Sequence, residues 1–300
     1  MRILLTRFPL ESARGGAEAQ TVTLLRGLRA RGHDVQFLGS CPVLQELLEN
    51  EGIPVKKLNI GPPPVTARHA FTFFWRKLFM RNSLNAAFAD LYDKKPFDAV
   101  LMLSLSEKLL LTEAALEHGA KVVWVEHDRV GRWLTQNPFL GTLKKLSPLV
   151  STVVVSDLSE RIYTGLGWPE GSTVTIPNGI EFARFNGTTV MERPQSFHVG
   201  CVARLTQDKG VDVLLTALED MPQVAVTIVG QGREEPFLQS WIEALTVREQ
   251  RSPPRMRLLP FVSDLGAFYR SLDALVLPSR EHDPFGLVAA EAMSQGVPVI

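Results

Sequence analysis

Three hundred residues, 45% of them hydrophobic and 21% charged, exceed one modest domain, exclude a disordered chain and suit two domains of about 150 residues each. Thirty-two basic and 32 acidic residues cancel, which argues against a nucleic-acid binder working through a global phosphate-neutralising field. Cys41 and Cys201 stand too far apart for a disulfide framework or a spaced metal cluster, and they fit a reducing cytosol.

In chain order, residues 2–6 form a short apolar run that meets Arg7 and Pro9 too soon for a signal peptide. No later apolar run approaches the ~20 residues that cross a bilayer, so the expectation is a cytoplasmic protein, soluble or peripheral at the inner face of the membrane. After a polar loop, Gly15-Gly16 opens a helical pattern through Ala19, Val22, Leu25 and Leu28 that Gly32 closes, and a strand over 34–38 follows. Strand, glycine loop, helix and strand build a parallel sheet. Two adjacent glycines let the backbone approach a ligand at that helix start; they also make an ordinary tight turn, and they are not the spaced fingerprint of dinucleotide binders.

The alternation continues with a helix over 42–51, a strand over 55–60, a loop at Pro62-Pro63-Pro64, a helix over 68–93, a strand over 98–103 and a helix over 106–118. In residues 68–81, Phe71, Phe74, Trp75 and Leu78 read as a core stripe. Phe73 and Met80 read as off-stripe among Arg76, Lys77 and Arg81, a pattern that suits either a helix resting on an anionic membrane or a partly buried helix with snorkelling bases. The strand over 121–125 runs into Glu126-His127-Asp128, polar residues at the strand end where open α/β sheets place ligands. His127 is thereby either a donor to a ligand hydroxyl or a strand-end histidine bonded to backbone. A helix over 136–147, a strand over 152–156, a helix over 157–165 and a strand over 173–177 complete a first domain.

Pro177-Asn178-Gly179-Ile180 is a turn, and residues 181–195 are polar and aperiodic, a linker. A second alternating series follows, with strands over 197–203, 225–230, 256–260, 273–277 and 297–300 and helices over 209–219 and 233–247. Arg204 and Lys209, five residues apart between its first strand and helix, suit a diphosphate, one as a fork and one as a point charge. Near the end, Pro278 turns the chain into an acidic loop before a helix that starts at Gly286, carries Leu287, Ala290 and Met293 at helical spacing and stops at Gly296. Asp283 and Glu291 are then two carboxylates about two turns apart, roughly 12 Å if both are helical. They read either as a two-point grip on a polar ligand or as an N-cap and a solvated helix residue.

Together these motifs resemble the retaining GT-B glycosyltransferases of family 4. The resemblance runs through Gly15-Gly16-Ala17-Glu18, Arg31 to Val35, Pro177 to Ile180, Arg204, Lys209-Gly210, Pro278-Ser279, Asp283 to Leu287, Glu291 to Met293 and Gly296 to Val299. It implies two Rossmann-like parallel-sheet domains facing across a cleft, an acceptor-side domain at 1–185 and a nucleotide-sugar domain at 186–300 that is incomplete at its C-terminus. It implies that Arg204 and Lys209 bind and stabilise the donor diphosphate in place of a metal, with no cofactor. Glu291 would bind the ribose, Asp283 and the Phe285-Gly286-Leu287 backbone the sugar, Gly16 beside Gly15 the phosphates or the reacting centre, and His127 the sugar. The base would lie near Gly230 and near Phe261 and Val262. The family carries glutamate where Asp283 stands, one methylene longer, and Glu281 or His282 would share its role. The implied partners are a nucleotide-sugar donor and a glycan or lipid-linked acceptor, with no nucleic acid; a peripheral membrane contact through 68–81 rests on the residue pattern of that segment alone. A nucleotide-sugar epimerase of the same architecture and a non-catalytic sugar-nucleotide or glycan-binding module are the alternatives. The absence of a spaced glycine fingerprint disfavours a hydride-transferring enzyme.

Overall fold

The computed structural model describes residues 1–9 and 16–300, which divide into two compact units, Met1–Gly179 and Ile180–Ile300. In the first unit, β1 (Arg2–Arg7) is followed by α1 (Gly16–Ala30), β2 (Asp34–Gly39), α2 (Pro42–Asn50), β3 (Val55–Lys57), α3 (Ala67–Lys94) and β4 (Ala99–Met102). Then come α4 (Leu105–Leu110), α5 (Thr112–Glu117), β5 (Lys121–Glu126), α6 (Arg132–Thr135), α7 (Leu140–Leu146), β6 (Ser151–Val154), α8 (Asp157–Leu166) and β7 (Thr173–Thr175). The strands form one parallel sheet in the order β3-β2-β1-β4-β5-β6-β7, so the winding reverses between β1 and β4. In such sheets ligands sit beyond the C-terminal strand ends.

The side-chain period of two decides which face each strand residue serves. Ile3 and Leu5 pack with Val35 and Phe37 under α1 and α2, whereas Leu4 joins Val100, Trp124 and Val154 on the opposite face under α3, α4, α5, α7 and α8. Trp124 is fully enclosed there, and its indole N–H donates to Thr112 Oγ1 at 3.1 Å, so its one polar group is not stranded.

Two of the expected helices differ from expectation. The helix expected over 106–118 breaks at Leu111 into α4 and α5, and the one expected over 136–147 starts later, as α7, after a turn at Asn137 that separates it from the unexpected short α6. Pro138 disfavours helix at Asn137, and the Asn137 side chain accepts the Phe139 N–H at 3.0 Å, closing the turn.

The phase of α3 is the reverse of the one expected. Phe73 and Met80 are buried in the core with Ala70, Leu84, Phe88 and Leu91, while Phe71, Phe74, Trp75 and Leu78 are exposed. The 28-residue helix takes its phase from its longer C-terminal part, where Leu84, Phe88 and Leu91 face the sheet, and a continuous helix carries that phase back to Phe73. The aromatic-rich stretch 71–79, read by itself, masks this.

The second unit comprises β8 (Phe197–Val202), α9 (Val211–Leu218), β9 (Val224–Val229), α10 (Glu235–Glu249), β10 (Met256–Leu259), α11 (Leu265–Arg270), β11 (Ala274–Leu275) and α12 (Leu287–Ser294). Its sheet is parallel in the order β10-β9-β8-β11, and Val299 bridges to Leu275 in parallel beyond β11. All six residues of β9 are buried, as expected of a strand covered on both faces. One core joins β8 and β9 to α9 and α10; the other gathers Val229, Leu275, Phe268, Tyr269 and Ala292.

Residues 181–195, expected as a featureless linker, contribute a 3-10 turn at Phe182–Phe185. Phe185 is buried against Tyr269, and its carbonyl accepts from Arg270 at 2.6 Å, which ties the segment into the second unit. In α12 the packed side chains are Val288 and Ala292, not the expected Leu287, Ala290 and Met293 stripe; Met293 is exposed. With Gly286 outside the helix at φ 79°, the phase of α12 follows the tight return through Gly296 into buried Val297.

Candidate active site

Three loops of the second unit leave the C-terminal ends of β8, β9 and β11 on one edge of its sheet. The first folds on itself: the Thr206 N–H donates to the Arg204 carbonyl and the Lys209 N–H to the Thr206 carbonyl, both at 2.9 Å, and α9 starts directly after Gly210. The other two loops clasp it through glycines. A Cβ at Gly210, which adopts φ 63°, would stand 2.1 Å from the Pro278 carbonyl oxygen, and one at Gly230 would stand 1.9 Å from that of Ala203. Only glycine permits these approaches. Arg280 fastens the first and third loops together. Its guanidinium is bidentate to Asp212 at 2.9 and 2.5 Å and donates to the Gln207 carbonyl, and its own N–H donates to the Asp208 carbonyl.

In this frame Lys209 Nζ lies 3.0 Å from Asp283 Oδ2. The other oxygen of Asp283 accepts the N–H groups of Gly286 at 2.9 Å and Phe285 at 3.3 Å, at the start of α12. Burial pushes the Asp283 carboxyl up, but Lys209 and these N–H groups outweigh it and hold it below the usual carboxylate range. One carboxylate oxygen thus closes the turn that precedes α12, whose N-cap is Gly286, and the other faces Lys209. Arg204 is exposed on the same loop and, among the described residues, has no ion-pair partner.

Because α12 begins at Leu287, Asp283 stands in the loop and the two-turn spacing to Glu291 does not apply. Glu291 has a separate anchor: the Tyr269 hydroxyl donates to its Oε2 at 2.8 Å. Burial raises the Glu291 carboxyl against the hydrogen bond from Tyr269 and the charge of Arg184, and burial together with Glu291 drives the Tyr269 hydroxyl far above its ordinary value. Sequence reasoning did not find Tyr269, because α11 was not expected. The signal is present: Asp264 before Leu265, with Phe268 and Leu272 at helical spacing, is a capped helix, and the Asp264 side chain accepts the Ala267 N–H at 2.8 Å.

Of the residues expected around the base, Gly230 lies at the end of β9 and Phe261 is exposed, but Val262 is buried in the core and can present only backbone. Phe285 and Gly286 at the end of the third loop and Leu287 at the start of α12 are half-buried, and Glu281 is exposed on that loop.

In the first unit, Gly15 lies outside the described residues, and Gly16 is the exposed first residue of α1. His127 follows β5 at the C-terminal sheet edge. The Asn178 side chain approaches its ring, yet among the described residues neither ring nitrogen finds a hydrogen-bond partner of ordinary geometry. Burial, helped by Arg7 and Lys108 and opposed by Asp128, pushes the imidazole down to about 4, so it is neutral at pH 7. A neutral imidazole can donate through one nitrogen to a ligand oxygen and accept through the other. Behind it Lys108 Nζ pairs with Glu126 Oε1 at 2.8 Å, both side chains less than a tenth exposed. Glu107 is buried beside them, accepts the N–H groups of Leu103 and Ser104, and is pushed up to about 7 by burial.

A parallel α/β unit presenting a cationic loop, a paired carboxylate and a second anchored carboxylate on one sheet edge, joined to a doubly wound unit, defines a nucleotide-handling protein of two Rossmann-like units. Residues 14–184 match the family model described as Glycosyltransferase Family 4, and residues 191–300 match that of Glycosyl transferases group 1. The chain belongs to glycosyltransferase family 4. It is 25% identical to an uncharacterized glycosyltransferase of Methanocaldococcus jannaschii over 95% of its own length and 76% of that protein's. It is 29% identical to the phosphatidyl-myo-inositol mannosyltransferase of Mycolicibacterium smegmatis over 95% of its length and 72% of that protein's. Among solved structures, Anabaena HepE in complex with UDP and glucose superposes with a TM-score of 0.76 at 20% identity, covering all of this chain and 80% of that one. A glycosyltransferase from Rickettsia africae gives 0.78 at 18% identity, covering 99% and 78%. The fold is the GT-B architecture of those enzymes.

Proposed function

We propose that the chain is a retaining, metal-independent hexosyltransferase that moves a sugar from a nucleoside-diphosphate sugar to an acceptor hydroxyl in the synthesis of a cell-surface polysaccharide, glycolipid or related glycan. The observation that carries this reading is the joint placement of Arg204, Lys209, Asp283 and Tyr269-anchored Glu291 on one edge of the second unit's sheet. Arg204 and Lys209 are the groups to neutralise a diphosphate, first as it binds and then as it departs carrying an extra negative charge. Glu291, its orientation fixed by Tyr269, accepts hydrogen bonds from the ribose hydroxyls. Asp283 and the backbone of Phe285, Gly286 and Leu287 hold the sugar, with Glu281 beside them. Gly230 and the Phe261-Val262 backbone flank the base. His127 donates to the sugar, and Gly16 gives the reacting centre a close backbone approach. The first unit takes the glycan or lipid-linked acceptor.

In the front-face reaction the bond from the anomeric carbon to the diphosphate oxygen lengthens, and that oxygen takes the acceptor proton. The acceptor oxygen then joins the same face of an oxocarbenium-like centre, so no enzymic nucleophile is required. HepE with UDP and glucose supports a nucleoside-diphosphate sugar as the donor class. Calorimetry against UDP-, GDP- and ADP-sugars, coupled to an assay of nucleoside diphosphate release, tests the reading. One donor should bind and release its diphosphate; tight binding with no release under any acceptor would make the chain a binding module instead.

Tyr269→Phe isolates the anchor of Glu291. Losing a hydrogen bond to a carboxylate costs about 1.5–3 kcal/mol, so KM for the donor should rise roughly 10- to 150-fold while kcat changes little. An unchanged donor KM would remove Glu291 from the ribose.

A further inference from the structure

Helix α3 carries an apolar face that no part of the described chain covers. Phe71, Phe74, Trp75, Leu78 and Phe79 are 54–71% exposed, although they are among the largest apolar side chains of the protein. At the ordinary helical pitch they occupy a sector of about 140° opposite the buried Phe73, Met80 and Leu84, so the helix is apolar on two opposed sides. Single exposed apolar residues are normal on a protein surface, whereas five within nine residues of one helix mark an interaction surface. Their rings already group: Trp75 meets Phe71 and Phe74 edge-on, with centroids 6.5 and 5.7 Å apart.

The border of this face is cationic. Arg76 flanks one side and Lys77 and Arg81 the other, Arg68 stands at the N-terminal end of the face, and no aspartate or glutamate occurs from residue 67 to 89. Arg81 pairs with Glu113 at 2.9 Å on α5, and the Lys77 ammonium lies 5.0 Å from the Phe74 ring centroid. Among the described residues no ion pair neutralises Arg68, Arg76 or Lys77. Since the whole chain has no net charge, this is a local concentration of positive charge around an apolar centre.

We propose that this face of α3 docks the protein in the interfacial plane of an anionic lipid bilayer. The aromatic and leucine side chains enter the boundary between headgroups and acyl chains, and the four bases meet lipid phosphates. The opposite side of α3 is buried on the sheet, so the helix lies flat; none of the described helices is long and apolar enough to cross a membrane. A second copy of the chain is a poorer occupant. A two-fold contact would set the cationic border against itself with no carboxylate on the face to offset it.

Co-sedimentation of the chain with vesicles of phosphatidylglycerol and phosphatidylcholine, and with phosphatidylcholine alone, tests this. The expected result is binding to the anionic vesicles that weakens at least tenfold on neutral ones and on raising the salt. F71S/W75S/L78S should lose at least tenfold, and R68Q/R76Q/K77Q should bind anionic and neutral vesicles equally. These positions are exposed, so both variants should keep the wild-type melting temperature and the donor-dependent diphosphate release measured without vesicles. That separates failure of the docking idea from failure of the glycosyltransferase reading on which it does not depend. Trp75 fluorescence should shift to the blue on vesicle addition, with no shift in W75F. Absence of sedimentation, or equal sedimentation of the serine variant, would overturn the proposal. So would a concentration-dependent dimer of the wild type, abolished in the serine variant, without vesicle binding.

Discussion

Lys209→Ala is expected to lower turnover by about two to three orders of magnitude, the usual loss when one preorganised charge is removed from an oxyanion developing in a reaction. The side chain is only 21% exposed and its ammonium is already fixed 3.0 Å from Asp283, on a loop held by Gly210 and Arg280, so little reorganisation is needed for it to meet a diphosphate. The acceleration should therefore show in kcat more than in KM, because the extra charge on the leaving diphosphate exists only beyond the ground state. Arg204→Ala should show a loss of the same kind. Asp283→Asn should cost far less, about tenfold, since asparagine still offers an oxygen to the N–H groups of Phe285 and Gly286 and loses only the charge facing Lys209. Steady-state rates of nucleoside diphosphate release on the preferred donor give the measurement. A turnover within a few-fold of wild type in Lys209→Ala would remove the lysine from the diphosphate, and with it the main argument for transfer.

The fold was legible because both sheets are parallel and doubly covered, so their strands read as apolar runs broken by glycine and polar loops. Seven strands of the first unit and four of the second stand where alternation places them. What failed was phase and short elements. The α3 pattern is dense in aromatics on every side between Phe71 and Phe79, so local spacing cannot say which side is inward; only Leu84, Phe88 and Leu91, two and more turns away, fix it. Helix α11 is six residues long, below the length at which periodicity speaks, and its loss hid Tyr269.

At the candidate site, residue types were legible and partners were not. Arg204, Lys209, Asp283 and Glu291 can be picked out from chemistry and spacing, but that Asp283 faces Lys209 across 74 residues, or that Glu291 rests on a tyrosine hydroxyl, depends on strand order and loop packing. The same holds for the charges behind His127. Lys108 and Glu126 read in sequence as a helix base and a strand-end acid, and it is the adjacency of β4 and β5 that brings them together in the interior.

That buried pair gives the largest expected effect on stability. Lys108→Met should destabilise the first unit by about 3–5 kcal/mol, the range measured when one partner of a buried ion pair is removed and the other is left uncompensated. Glu126 has no water to fall back on, being 8% exposed, and the change also removes the donor that reaches the Val125 carbonyl at 3.3 Å. The double variant Lys108→Met/Glu126→Leu should recover most of the loss, because an apolar pair of similar volume replaces the ions without stranding a charge. Urea unfolding followed by tryptophan fluorescence reports chiefly on this unit, since four of the five tryptophans lie in it, and the two units are best fitted as separate transitions. If the double variant were no more stable than Lys108→Met alone, the cost would come from lost packing of the lysine stem and not from the orphaned carboxylate. The pair also holds the floor beneath His127, whose imidazole is kept neutral partly by the Lys108 charge. Lys108→Met, which removes that charge and leaves Glu126, should move the imidazole up from about 4 while burial, the larger cause, still holds it below its ordinary value, a shift that the imidazole proton resonance would track against pH.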